Sequence, residues 1–213
     1  MRKLIYVLVA IVALGTASCS KSMSQYDKEI DQAEKMMLSN PDSALSMLDA
    51  IDASELKIDS LWAKYHFIKG YGHLKRNRSM IGDSLIIYAH DYYRGKNLVR
   101  DIRSGIVLAW YKFWVGDTPG AMTMLDSLAG LPDVPDSLMT QTLRIRVMLG
   151  ASEYQGQQLI PYAKKLHELE TDSLRKIEAN YMLLTAYEYA GETDSALYLL
   201  DQLVDYARNH NWG

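Results

Sequence analysis

The chain has 213 residues, a net charge of −3, 48 % hydrophobic residues and a single cysteine, Cys19. That length suits one domain or a short solenoid. The charge offers no general attraction to nucleic acid, and one cysteine excludes both an intrachain disulfide and a cysteine-built metal site.

The first residues read as a secretory signal. Met1-Arg2-Lys3 is basic, Leu4 to Gly15 is almost wholly apolar, and Thr16-Ala17-Ser18 is small. The apolar stretch is too short to cross a bilayer, which takes roughly 20 residues. The only cysteine stands directly after Ala17-Ser18, and this arrangement resembles the signal of bacterial lipoproteins. The resemblance implies removal of residues 1–18, acylation of Cys19 and a lipid-anchored tether over residues 19–25. Acyl chains at about 0.8 kcal/mol per buried CH₂ would hold such a chain on a membrane. No acidic run follows the cysteine, so the expected position is the outer membrane of a Gram-negative envelope, facing the periplasm.

From Gln25 onward the apolar residues recur at helical spacing. Ile30, Ala33, Met37 and Leu38 mark a first helix, stopped by Ser39-Asn40-Pro41 because proline cannot continue the hydrogen-bond ladder. A second helix, capped by Asp42 or Ser43, is expected to end near Ala53-Ser54. A third spans about Asp59 to Lys75, with Leu61, Phe67, Ile68 and Tyr71 as packing residues and Gly70 and Gly72 permitting close helix approach. Asp83-Ser84 opens a helix with Leu85, Ile86, Tyr88 and Ala89. The next carries Ile102, Ile106, Ala109 and Phe113 and stops at Gly116-Asp117. A helix around Ala121 precedes the clearest linker, Gly130 to Pro135. Further helices are expected from about Ser137 to Ala151, Gly156 to Leu169, Asp172 to Ala190 and Thr193 to Arg208. The dipeptide Asp-Ser recurs seven times, mostly ahead of an apolar run, and reads as repeated N-capping chemistry. Period-two alternation is absent.

Three of these helices share a pattern. Asn40-Pro41-Asp42-Ser43-Ala44, Asp117-Thr118-Pro119-Gly120-Ala121 and Glu192-Thr193-Asp194-Ser195-Ala196 each place a small residue early and leucines one turn on. The alanines lie 77 and 75 residues apart. With Leu85 and Leu159 as intermediate anchors, the chain divides into five helix pairs, the signature of a solenoid. The pattern resembles tetratricopeptide (TPR) repeats: Leu108-Ala109, Gly116, Ala121, Leu125 and Pro132 fit it, as do Tyr187, Gly191, Ala196 and Leu200, and Ala44 and Leu48. The expected fold is all-α, a right-handed α-solenoid of about five antiparallel helix pairs over residues 26–209, behind the signal peptide.

The resemblance implies a non-catalytic scaffold that binds a partner protein or peptide in a concave groove lined by the first helix of each pair. Carried over by position, the groove residues are Trp62, Tyr65 and Lys69, then Arg103, Trp110 and Trp114, then Tyr181 and Glu188. Trp110, Phe113 and Trp114 fall on one helix face, and aromatics with nearby cations are typical of binding hot spots. The five histidines show no metal-ligand spacing, and no nucleophile or acid–base constellation stands out. No cofactor, metal or enzymatic activity is therefore expected. Two other readings fit the same residues: the sensor half of a longer signalling protein, and a small nutrient-binding lipoprotein.

Overall fold

In the computed structural model, described for residues 21–153 and 156–209, ten α-helices and one 3₁₀ turn follow one another, and the described residues contain no strand. The expected lipidation site Cys19 and the signal sequence lie outside the described residues. The helices are α1 (Met23–Met36), α2 (Pro41–Asp49), α3 (Asp59–Lys75), α4 (Leu85–Tyr93), α5 (Leu98–Trp114), α6 (Thr118–Ala129), α7 (Asp136–Ser152), α8 (Gly156–Leu169), α9 (Ser173–Ala190) and α10 (Thr193–Asn209). Each odd helix pairs with the even helix after it, and α1, α3, α5, α7 and α9 also pack on one another in that order. This is the five-pair helical array expected from the repeats.

Capping differs in detail from the Asp-Ser expectation. Asn40 caps α2, accepting the Ser43 N–H at 3.1 Å with Pro41 at the first helical position, where its missing N–H costs nothing. Asn97 and Asp117 do the same for α5 and α6. Of the Asp-Ser pairs, Asp172 alone caps a helix through its side chain, accepting from Arg175. Asp42, Asp59, Asp136 and Asp194 sit inside the first turn, where a carboxylate favours the positive end of the helix dipole. The second helix ends at Asp49, and Ala53–Glu55 forms the separate 3₁₀ turn.

The core follows the repeat pattern. Ala44, Ala121 and Leu159 are fully buried at the fourth residue of their helices. The second pair is the exception: Leu85 is 41 % exposed, and Ile86, one residue on, takes the buried place. Gly70 and Gly72 act on opposite sides of α3. A Cβ on Gly70 would sit 2.8 Å from Val107 of α5, and one on Gly72 would sit 2.6 Å from Leu45 of α2. Each glycine gives up about 1 kcal/mol of helix propensity and in exchange lets a neighbouring helix approach closely. At the end of α9, Gly191 adopts φ 75°, and Gly191 and Glu192 donate back to the last carbonyls of α9.

Candidate functional site: the concave groove

Two features shape the inner surface lined by the odd helices. The first is a set of ion pairs linking α1 to its neighbours. Lys64 of α3 reaches Asp27 and Asp31 of α1. Burial works against the Lys64 ammonium, but the two carboxylates outweigh it and its pKa lies above the ordinary lysine value. Arg100 of α5 reaches Glu34 of α1 at 2.6 Å and lies over the Phe67 ring. The carboxylates of α1 are thus engaged.

The second feature is a cavity of about 490 Å³ between α3, α5 and α7, in the size range of ligand sites. Its apolar part comes from Tyr71, Ile106, Trp110, Ile145 and Met148. Trp110 is 3 % exposed, and its indole N–H donates to the Arg78 carbonyl at 3.3 Å, which fixes the ring in the wall. Four cations, Lys75, Arg103, Arg144 and Arg175, border the cavity against two carboxylates, Glu170 and Glu178. Arg144 pairs with both of those carboxylates. Arg103 stands apart: it borders this cavity and the adjoining one toward α1, and its buried Nε–H has no acceptor among the described residues. A buried donor left unpaired costs about 1–3 kcal/mol. A second cavity of similar volume beside the start of α1 has Lys64 as its cation, and that charge is already matched.

The structure divides the expected groove residues. Arg103 and Trp110 lie on the cavity. Trp114 is half-buried, edge-on to Trp110 at 5.9 Å, with an indole N–H that has no partner among the described residues. Tyr181 and Glu188 are exposed on α9, away from the cavity lining. Trp62, Tyr65 and Lys69 are on a different face. The Tyr65 hydroxyl donates to the Leu48 carbonyl of α2, and the Lys69 ammonium meets Asp49 of α2 at 2.9 Å. Trp62 lies against His66 on the same row, and burial, with Lys69 adding to it, lowers the His66 pKa to about 4. The groove face of α3 instead carries Lys64, Phe67 and Tyr71. The segment before α4, residues 76–84, is nine residues long, against three residues before α6, so the second pair is spaced differently from the third. Arg144, Ile145 and Met148 of α7 carried no motif; their signal was the i, i+1, i+4 grouping on the first helix of the fourth pair.

Among the described residues no group of His, Cys, Asp or Glu is arranged to hold a metal ion, and no helix is long and apolar enough to cross a membrane.

The array defines a TPR-like helical repeat fold. The chain is similar to a solved crystal structure, that of a kinesin light chain from Podosopora anserina with nearly identical TPR-like repeats, at TM-score 0.67 and 12 % identity over 91 % of this chain and 99 % of that one. No family model and no curated protein matches the chain.

Proposed function

We propose that the chain is an adaptor whose concave groove holds an extended segment of a partner protein, the segment presenting a carboxylate beside an aliphatic or aromatic side chain. The observation that carries this is Arg103: a cation with a buried, unpaired Nε–H, set beside Ile106 and Trp110 at the meeting of two cavities. Lys64, Arg100 and Arg144 on the inner surface have acids of their own. A partner carboxylate would supply the missing acceptor, and charge-assisted bonds to arginine are the strong kind. The neighbouring apolar walls would take the adjacent side chain, as at hot spots where a buried anchor is ringed by polar groups. TPR-like repeats suit this role because adjacent first helices form one continuous concave surface.

The proposal includes the membrane. Acylated Cys19 would hold the groove at the periplasmic face of a Gram-negative outer membrane; the tether is shorter than the expected residues 19–25, because Met23–Gln25 already belong to α1. The chemistry proposed is binding, with no cofactor and no catalysis.

The test is a crosslinked recovery of partners from native envelope with wild-type protein and with Arg103→Glu, after circular dichroism shows that both fold. Loss of one specific partner in the variant supports the groove. Retention of every partner would refute it. Metabolic labelling with a clickable fatty acid tests the anchor separately: label absent from Cys19→Ser and present on wild type supports acylation, and equal labelling rejects it.

A further inference from the structure

The outer face of α10 is built like an internal face of the array, but no helix among the described residues packs against it. In the first, third and fourth pairs the anchor is followed by two buried residues, on helices that pack on the next odd helix. After Ala44 these are Leu45 and Leu48, after Ala121 Met122 and Leu125, and after Leu159 Ile160 and Ala163; all six are buried. Leu45 meets α3 at Gly72, and the Leu48 carbonyl accepts the Tyr65 hydroxyl. The matching residues after Ala196 are Leu197 and Leu200, which are 54 % and 42 % exposed, with Val204 two turns along from Leu197 and 37 % exposed.

The polar chemistry repeats too. Five residues past the anchor, Asp49 pairs with Lys69 of α3 at 2.9 Å and Asp126 pairs with Arg146 of α7 at 2.7 Å. In each case the next odd helix supplies the cation. The same position on α10 is Asp201, which has no ion-pair partner among the described residues.

We propose that this face docks an amphipathic helix of a partner protein. The helix would lie across α10 as α3 lies across α2, with a lysine or arginine opposite Asp201 and a small residue one turn on, where Gly72 follows Lys69. Charge argues for such a basic helix and against a second copy of this chain. The α10 helix carries Asp194, Asp201 and Asp205, with Arg208 3.6 Å from Asp205, so two antiparallel copies would bring aspartates together. The opposite end of the array offers no better self-partner, since the free side of α1 presents Gln25, Lys28, Gln32 and Lys35, all exposed and none apolar. The α10 site is separate from the groove, so its failure would leave the adaptor reading standing.

The test uses the sequence that already fills the equivalent place. A second copy of residues 59–75 is appended after Gly213 of the full chain through a flexible linker of about 15 residues, which raises its effective concentration at α10. The expected result is slowing of amide exchange across α10 by about tenfold or more and a raised Tm. Lys69→Glu in the appended copy alone should abolish most of that protection, and Asp201→Lys in the same chain should restore it. Absence of protection, or protection indifferent to both charge changes, would overturn the proposal. So would a dimer of the unmodified chain in sedimentation that Leu197→Ser/Leu200→Ser dissolves, because the face would then belong to a second copy.

Discussion

The pairing of Asp126 with Arg146 predicts an unequal response to removing its two ends. Arg146 is 4 % exposed, donates Nε–H to Asp126 at 2.7 Å and lies 4.5 Å from the Tyr162 ring centroid. The Asp126 side chain is 39 % exposed. Asp126→Ala leaves a guanidinium buried with no countercharge, and breaking a buried pair in this way costs about 3–5 kcal/mol. Arg146→Met leaves a carboxylate that water can reach and an apolar chain of similar reach in an apolar setting, for a loss of about 1 kcal/mol or less. At roughly 2–4 °C per kcal/mol for a chain of this size, Asp126→Ala should lower Tm by roughly 6–20 °C and Arg146→Met by less than about 4 °C. The double variant should fall close to Arg146→Met, since the charge that needed a partner is gone. Urea and thermal unfolding followed by circular dichroism read all three. Equal losses in the two single variants would refute the reasoning, because they would show that the guanidinium is hydrated and the α6–α7 junction looser than described.

Three further predictions rest on other parts of the molecule. Ala121→Leu overfills the fully buried contact at the start of α6 and should destabilise by about 1–3 kcal/mol; an unchanged urea midpoint would undo the repeat register. Arg103→Met removes the unpaired buried Nε–H, so it should leave Tm unchanged or raise it by up to about 12 °C while abolishing partner recovery; a marked loss of Tm would show that Arg103 serves the fold. His66 is held neutral in the folded chain, with its pKa lowered to about 4 by burial and Lys69, whereas the unfolded chain takes up that proton near 6.5. Its contribution is therefore complete above about pH 6.5 and is lost as pH falls toward about 4. His66→Phe should flatten the acid side of the stability profile, and parallel profiles for variant and wild type would reject this.

Much of the fold could be read from residue order because local and tertiary signals agree. Asn40-Pro41 and Asp117-Thr118-Pro119 carry cap and first-turn chemistry together, and the alanines after them are fully buried. The bounds of α3 and α8 match the sequence expectation to the residue. Legibility failed where the loop within a pair changed length. Segment 76–84 contains Met80, fully buried and 3.0 Å from the place a Gly70 side chain would occupy. It therefore acts as part of the core, and the phase between α3 and α4 no longer follows from the repeat. Tyr65 and Lys69 contact α2, whereas Lys64 meets α1 and Tyr71 lines the cavity. The α7 residues of the groove were hidden for a different reason. Ile145 and Met148 look like any apolar stripe, and only the three-dimensional juxtaposition with Trp110 marks them as wall. Arg103 was legible by position, but its lack of a partner is a property of the folded surroundings.

The claim at the centre of this account is that the inner surface is the partner site. The direct measurement places a photo-crosslinking amino acid at Tyr71, at Ile145 and, as an outer-surface control, at the exposed Thr123 of α6, each in the full chain within native envelope. The account predicts one common adduct from Tyr71 and Ile145, none from Thr123, and loss of that adduct when Arg103→Glu is added. An adduct formed equally from Thr123, or one that survives Arg103→Glu, would contradict it.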